Sequence, residues 1–130
     1  MERPPLGDQE LLLLRWLAEH GPLSVGEAFE SFGAEHGWAR STVLTVMERL
    51  RAKGYLARRR SLGVFRYAAA EAPDELMRGV VGDFVRRALG GSVSPVVNYL
   101  SESEELSDEE IEQLEQLVKR LASQRRRVKP

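Results

Sequence analysis

The chain has 130 residues, with 19 basic and 20 acidic side chains, a formal net charge of −1 and no cysteine. This length fits one compact domain, or a small domain with an appendage. Without cysteine there are no disulfides or thiolate metal sites, which is compatible with a reducing cytoplasm, where we expect the protein. No apolar run approaches the roughly 18 residues needed to span a membrane, and the first five residues lack a signal peptide's apolar stretch, so we do not expect export.

Two helices are predicted at the start of the chain. Asp8 is the expected N-cap of the first, which carries its apolar side chains over residues 11–17 and ends near Gly21. Ser24 and Glu27 have the spacing of a capping box and open the second helix. Its expected buried residues are Val25, Ala28, Phe29 and Phe32.

A turn over residues 33–37 is predicted to precede a third helix. This helix is expected from about Arg40 to Lys53 and ends at Gly54, a favourable residue just past a helix C-terminus. Apolar side chains recur at intervals of three, one and three residues, which places them on one face of the helix. They are Val43, Val46, Met47 and Leu50.

After Gly54 the pattern changes to that of strands. Residues 55–60 and 64–67 are strand-like, and a short glycine-containing loop at 61–63 joins them into a hairpin. Three helices followed by a hairpin form a winged helix-turn-helix, in which the hairpin is the wing.

The remaining 60 residues are predicted to be helical. A fourth helix is expected over about 74–89, and a fifth begins with Ser94 as its cap and Pro95 at its first position. Ser107 and Glu110 form a second capping box at the start of a sixth helix, with residues after Ser123 expected to fray. Apolar residues at intervals of three, four and three form a seam for packing against another helix. The seam is Ile111, Leu114, Val118 and Leu121.

The predicted fold class is therefore mostly α with a small β-hairpin wing. Residues 1–70 form the winged helix-turn-helix, and residues 71–130 form a helical region too short to bury a core of its own. The economical way to cover its apolar side chains is a twofold partner, which makes a homodimer. Helices that fold back on their own winged domain are the alternative. The residues expected at the dimer interface are Leu76, Val80, Phe84, Val97, Leu100, Ile111, Leu114, Val118 and Leu121.

Positive charge is concentrated in residues 38–67, which carry eight basic side chains and one acidic one in a nearly neutral chain. This patch coincides with the third helix and the wing, an arrangement typical of double-stranded DNA binding. Short hydroxyl side chains on the helix suit base edges in the major groove, whereas wing arginines neutralise the backbone. The candidate DNA-binding residues are Arg40, Ser41, Thr42, Thr45, Arg49, Arg58, Arg59, Arg60 and Arg66.

Two other interpretations of the patch stay open. A basic helix can be merely solvated, and a winged helix can use the same charges as a protein-interaction module for an acidic partner. Sequence-selective DNA binding distinguishes a DNA-binding protein from the interaction module. Four aromatic residues in this segment are predicted to pack in the core and not to stack on bases: Trp38, Tyr55, Phe65 and Tyr67.

Catalysis has little support in the sequence. His20 and His36 each lie at a helix end beside glycine, without the spacing of metal ligands. There is no phosphate-binding loop and no nucleophile elbow. We therefore expect no enzyme activity, no cofactor and no metal.

Several segments together give the chain a resemblance to the penicillinase-repressor family (BlaI/MecI type, with the copper-responsive CopY relatives). The similarity extends over nearly the whole length, and the order and spacing of the segments make it fairly specific. The segments are residues 6–10, 41–45, 49–50, 53–56, 65–67, 96–100 and 105–111.

The resemblance implies a dimeric repressor on a dyad-symmetric operator, often of a resistance or envelope-stress operon. It also implies that Ser41, Thr42 and Thr45 contribute to operator contact. In members regulated by β-lactam sensors, cleavage at an Asn-aromatic bond inactivates the repressor, and Asn98-Tyr99 stands at that place. A sensor protease is then a further partner. Ordinary helix packing with Tyr99 buried is the alternative.

The chain also departs from the family pattern. Gly7 replaces a frequent threonine, and Ala18 replaces a Trp whose packing Trp16 is expected to take over. Leu44 stands where some members have a basic residue, so the operator sequence cannot be carried over. The cysteine-rich tail of the copper branch is absent, which excludes copper sensing by thiolates.

Overall fold

The computed structural model describes residues 3–128; residues 1–2 and 129–130, the ends of the two predicted regions, lie outside the described part. Within it, the chain forms six helical segments and one β-hairpin. The helices are α1 (Asp8–His20), α2 (Val25–Ala28, continued by the π-helical turn Phe29–Gly33 and by Ala34–His36), α3 (Arg40–Ala52), α4 (Pro73–Ala88), α5 (Ser94–Glu102) and α6 (Asp108–Val128). The strands are β1 (Leu56–Ser61) and β2 (Val64–Ala69). No described helix is long and apolar enough to cross a membrane. The predicted fold class is confirmed.

The start of α1 differs from the prediction. Gly7, and not Asp8, is the N-cap, because Glu10 reaches back and its Oε1 accepts a hydrogen bond of 2.8 Å from the Gly7 N–H. Asp8 instead lies in the first turn, where a negative charge interacts favourably with the helix dipole. The helix ends at His20, next to the predicted Gly21.

The capping box at the start of α2 is confirmed, but the turn predicted over residues 33–37 is wrong. Ser24 Oγ accepts from the Glu27 N–H at 3.1 Å, and Glu27 Oε1 accepts from the Ser24 N–H at 2.9 Å. The helix then continues through the buried Gly33 to His36, and only Gly37 adopts a left-handed conformation, with φ of 71°. Glycine at position 33 allows close packing and does not form a turn, since a Cβ there would lie 3.0 Å from Phe29 Cδ1 and 3.2 Å from Val43 Cγ2.

The core lies among α1, α2, α3, the wing and the first turn of α4. All four apolar residues predicted on one face of α3 are buried, as are Ala28 and Phe32 of α2, while Val25 and Phe29 pack partly buried against them. The buried apolar residues are Leu13, Leu14, Leu17, Ala28, Phe32, Val43, Val46, Met47, Leu50, Tyr55, Leu56, Tyr67 and Leu76.

The wing is a two-residue hairpin. Its antiparallel register pairs Leu56 with Ala69 and Ser61 with Val64, which leaves Leu62 and Gly63 in the turn with φ of 53° and 79°. Leu23, just before α2, extends the sheet by an isolated bridge to Tyr67, with N···O distances of 2.9 and 2.8 Å. The wing is therefore attached to the helices through backbone hydrogen bonds.

The chain divides into two compact units, the first ending at Phe84 and the second beginning at Val85. In the second unit the Ser107–Glu110 capping box is present, with both hydrogen bonds near 3.0 Å. Two predicted details are wrong. The N-cap of α5 is Val93, with Ser94 as the first helical residue, and α6 continues as a helix past Ser123 to Val128.

Candidate nucleic-acid interface

The α3 helix presents a polar face opposite its buried apolar stripe. Ser41 and Thr45 are exposed on this face, and Thr42 is half-buried on its flank. Arg40, at the first position of the helix, and Arg49, two turns later, are both exposed. Since helix α3 is anchored in the core by its other face, its hydroxyl and guanidinium groups are held on the surface.

The wing arginines divide between the two faces of the hairpin. Arg58 and Arg60 lie on the face of Phe65, with guanidinium carbons 4.0 and 5.6 Å from its ring centroid. Arg59 and Arg66 lie directly opposite each other on the other face. Arg59 and Arg60 are exposed, and no ion pair is found for either of them within residues 3–128.

Three of the four aromatic residues predicted to pack in the core do so. Tyr55 and Tyr67 are buried, and Trp38 packs edge-on against Phe32 with ring centroids 5.0 Å apart. The prediction is wrong for Phe65, which is 43% exposed. Its position on the wing, opposite Arg60, places its ring against the guanidinium groups of Arg58 and Arg60, where cation–π contacts replace core packing.

Glu48, the one acidic residue of the patch, was not predicted to have a role. Its carboxylate accepts hydrogen bonds from Arg51 at 2.9 and 3.1 Å and from the Tyr67 hydroxyl at 2.6 Å, and pairs with Arg58 at 3.4 Å. The hydrogen bonds from Arg51 and then Tyr67 lower the pKa of Glu48 to about 2. The i, i+3 spacing of Glu48 and Arg51 is the one signal in the sequence for this cluster of contacts. The contact with Tyr67 cannot be predicted from local spacing, because it forms only in the folded protein.

Glu27 makes a similar contact from α2. Arg66 donates to Glu27 Oε1, the atom that also accepts from the Ser24 N–H. The backbone hydrogen bond from Ser24 and the charge of Arg66 lower the pKa of Glu27. This pair offsets the repulsion between Arg59 and Arg66, which face each other across the hairpin.

An open cleft separates α3 from the wing. Leu44, Val64 and Phe65 line it as exposed apolar side chains, Arg40 lines it as a cation, and Arg58 lines it together with its partner Glu48. Such a surface suits a sugar–phosphate backbone, because deoxyribose is apolar at its carbon face and phosphate is anionic.

The residues predicted at a dimer interface fall in both units. Leu76 is 1% exposed in the core of the first unit, so its own chain already covers it and leaves nothing for a partner to bury. The large apolar side chains that stay exposed in the single chain include Phe84, Val97, Ile111, Val118 and Leu121. Val80, Leu100 and Leu114 are half-buried.

Asn98 and Tyr99 lie within α5, and both are exposed. Tyr99 is 64% exposed, so the alternative in which its side chain is buried by ordinary packing does not hold for the single chain.

The two histidines pack against aromatic rings. His20 stacks on Trp16 with ring centroids 4.6 Å apart, and His36 stacks on Phe32 at 4.0 Å. The Nδ1 of each ring lies within 2.9 Å of the carbonyl oxygen four residues earlier. No group of three or more potential metal ligands is found among residues 3–128.

A winged helix with hydroxyls and arginines exposed on its third helix and wing defines a DNA-binding transcription regulator. Among the solved structures that share this fold are two bacterial proteins. A MarR family protein from Bacillus stearothermophilus superposes with a TM-score of 0.50 at 26% identity, covering 93% of this chain and 76% of that one. The YusO protein from Bacillus subtilis has a TM-score of 0.52 at 25% identity, covering 91% of this chain and 75% of that one.

The chain belongs to the penicillinase repressor family, whose model matches residues 6–120. A penicillinase repressor from Bacillus licheniformis is 25% identical over 115 residues, which is 88% of this chain and 90% of that protein. The methicillin resistance regulatory protein MecI from Mammaliicoccus sciuri is 23% identical over 109 residues, 84% and 87% of the two chains. The protein is thus a DNA-binding repressor and not an enzyme.

Proposed function

We propose that the repressor acts as a homodimer on a dyad-symmetric operator, with α3 in the major groove and the wing on the DNA backbone. The observation that carries this proposal is the exposed row of Ser41, Thr45 and Arg49 on a helix whose opposite face is fixed in the core. In this proposal residues 1–70 bind DNA and residues 71–130 dimerise. One winged helix contacts few base pairs, so a second copy adds both affinity and selectivity.

The exposed apolar side chains of α4, α5 and α6 support the dimer. Ile111, Val118 and Leu121 are three of the four seam residues and are exposed in the single chain. A second copy of the same surface would cover them with matching side chains, as a twofold interface requires.

The test of the operator is selection of sheared genomic DNA by the purified protein at near-physiological salt, followed by sequencing. We expect a few dyad-symmetric sites upstream of genes, preferred over random DNA by at least ~10³. A dimer with about six to eight phosphate contacts should show a log–log salt slope near −5 to −7. Uniform recovery of genomic DNA, without enriched sites, would favour the protein-interaction module for an acidic partner instead.

Two substitutions separate base reading from phosphate binding. Thr45→Ala should lower the preference for the selected site over random DNA, because it removes a hydroxyl and a methyl group from the polar face of α3. Arg59→Ala should weaken binding to both duplexes by a similar factor, because a phosphate contact carries no sequence information. Fluorescence anisotropy on the two duplexes measures both effects. Equal losses for Thr45→Ala would contradict its role.

We further propose that cleavage of the Asn98–Tyr99 bond by a sensor protease relieves repression. The exposure of both residues supports this, and so does the position of the bond, since a cut there separates α6 from the rest of the chain. Loss of α6 would weaken dimerisation and so DNA binding through mass action. Mass spectrometry of the protein from cells treated with a β-lactam should show a fragment ending at Asn98; intact protein after derepression would contradict the proposal.

A further inference from the structure

Glu48 places a carboxylate within the basic surface proposed to contact DNA. It follows Thr45 by three residues on α3, so the two side chains lie on neighbouring positions of one helix face. A carboxylate facing phosphate is repulsive unless cations neutralise it. The residues around Glu48 do so.

Four donors satisfy the two carboxylate oxygens of Glu48. Arg51 donates through Nη2 to Oε1 at 2.9 Å and through Nε to Oε2 at 3.1 Å. Oε2 also accepts from the Tyr67 hydroxyl at 2.6 Å and from Arg58 Nη1 at 3.4 Å. Two arginines of the basic patch are thus engaged within the protein.

Tyr67 fixes this cluster in place. The residue is 2% exposed, and its backbone N–H and carbonyl both pair with Leu23. Because the hydroxyl is held by a buried ring, the carboxylate it binds cannot move outward with the arginines without breaking the 2.6 Å hydrogen bond. The cluster therefore resists rearrangement when an anion approaches.

We propose that Glu48 is a specificity-determining residue that keeps Arg51 and Arg58 from neutralising DNA phosphates. Phosphate contacts supply most sequence-independent affinity, whereas base contacts from the hydroxyls of α3 supply selectivity. Withholding two cations lowers the affinity for random DNA, while the hydroxyl contacts with the operator stay in place. The ratio of operator affinity to random-DNA affinity therefore rises. This inference rests on the proposed DNA-contacting role of α3 and the wing.

The first experiment compares the full-length wild type with Glu48→Gln on a random-sequence 30-base-pair duplex over a salt series. Glutamine keeps an acceptor for Tyr67 and removes the charge. We expect Glu48→Gln to bind this duplex several-fold more tightly, with a log–log salt slope steeper by about 2 to 4, since each additional phosphate steepens the slope by about 0.9 and the proposed dimer carries the substitution in both protomers. On a duplex recovered by genomic selection the increase in affinity should be smaller, so the selectivity ratio falls.

Glu19→Gln is the matched control. It changes the net charge by the same amount, at an exposed position near the end of α1. Its salt slope should equal that of the wild type, which separates release of the arginines from a change in overall charge. An unchanged slope for Glu48→Gln, or weaker binding to both duplexes, would overturn the proposal.

A second variant tests the inference without touching Glu48. In Arg51→Gln/Arg58→Gln the salt slope on random DNA should stay close to that of the wild type, because both arginines are already engaged. A slope shallower by about 4, from two arginines in each protomer of the proposed dimer, would show that they bind phosphate and would refute the inference. If the wild type binds neither duplex, the proposed DNA-contacting surface fails; if it binds and the variants behave otherwise than expected, only the role of Glu48 fails.

Discussion

Glu10 shows what holds a charged residue in the interior of this fold. The residue is 8% exposed, and Oε1 accepts from Gly7 N–H and from Lys53 Nζ at 2.7 Å, while Oε2 is buried with no partner in the described structure. Burial by itself raises the pKa of Glu10, but the hydrogen bonds from Lys53 and Gly7 outweigh it and lower the pKa. Lys53 also donates to the Pro5 carbonyl at 2.9 Å, so one ammonium group joins the start of α1 to the end of α3.

Lys53→Met should therefore destabilise the protein by about 1–3 kcal/mol, because it leaves a buried carboxylate without its cation. Urea unfolding monitored by circular dichroism measures the free energy of unfolding. Lys119→Met, at an exposed position of α6, is the control and should change it by less than about 0.5 kcal/mol. A similar small change for Lys53→Met would show that the pair contributes little.

The low pKa of Glu48 makes stability depend on pH. Its value of about 2 lies below the ordinary 4.5, mainly through the hydrogen bonds from Arg51 and Tyr67. The charged form is favoured by folding, so the stabilisation is fully present above pH 4.5 and is lost as the pH falls toward 2. Between these values the wild type should lose stability more steeply than Glu48→Gln, which retains the other carboxylates. Parallel curves of unfolding free energy against pH for the two proteins would contradict this assignment.

At the scale of the element, α2 depends on a glycine inside a helix. Gly33 ends the π-helical turn and packs so closely that an added Cβ would also lie 3.3 Å from the Trp38 carbonyl oxygen. Glycine normally weakens a helix, so its presence here reflects the close packing of α2 on α3.

Gly33→Ala should destabilise the protein by about 1–3 kcal/mol, since the neighbouring side chains must shift to accept a methyl group. Gly79→Ala is the matched control in α4, where nothing lies within 4 Å of the added Cβ. There the substitution should stabilise the helix by about 0.5–1 kcal/mol. Thermal unfolding of the two variants gives the comparison; shifts of the same sign would refute the packing argument for Gly33.

At the scale of the whole molecule, the exposed seam of α6 determines whether two chains associate. Val118 is 65% exposed in the single chain, and the opposite side of the helix is polar, with Glu112, Gln116 and Arg120 on it. The helix is thus strongly amphipathic, as expected for a helix that packs against a partner helix.

Val118→Glu/Leu121→Glu should convert the proposed dimer to a monomer, because two charges would be buried at the interface. Sedimentation velocity measures the mass, and affinity for the selected operator should fall by about 10²-fold or more. Gln116→Glu, on the polar side of the same helix, should leave the mass and the operator affinity unchanged. A wild type that is already monomeric at micromolar concentration would contradict the proposed dimer.

Much of this fold and part of its candidate site followed from local patterns in the sequence. The periodicity of Val43, Val46, Met47 and Leu50 predicted the buried face of α3, and with it the exposed positions of Ser41 and Thr45. The two capping boxes and the hairpin were also predicted, to within a residue or two. These features depend on residues that are close together in the sequence, so local patterns are enough to predict them.

Only the tertiary structure decided which distant residues meet. Glu48 and Tyr67 are separated by 19 positions, Glu27 and Arg66 by 39, and Glu10 and Lys53 by 43. No local spacing encodes these contacts, because each arises from packing of elements that are far apart in the chain. The same packing turned Gly33 from a predicted turn residue into a helical one and left Phe65 on the surface. The sequence by itself therefore determined the elements and the charge of the surface, and the fold determined which of its charges are already paired.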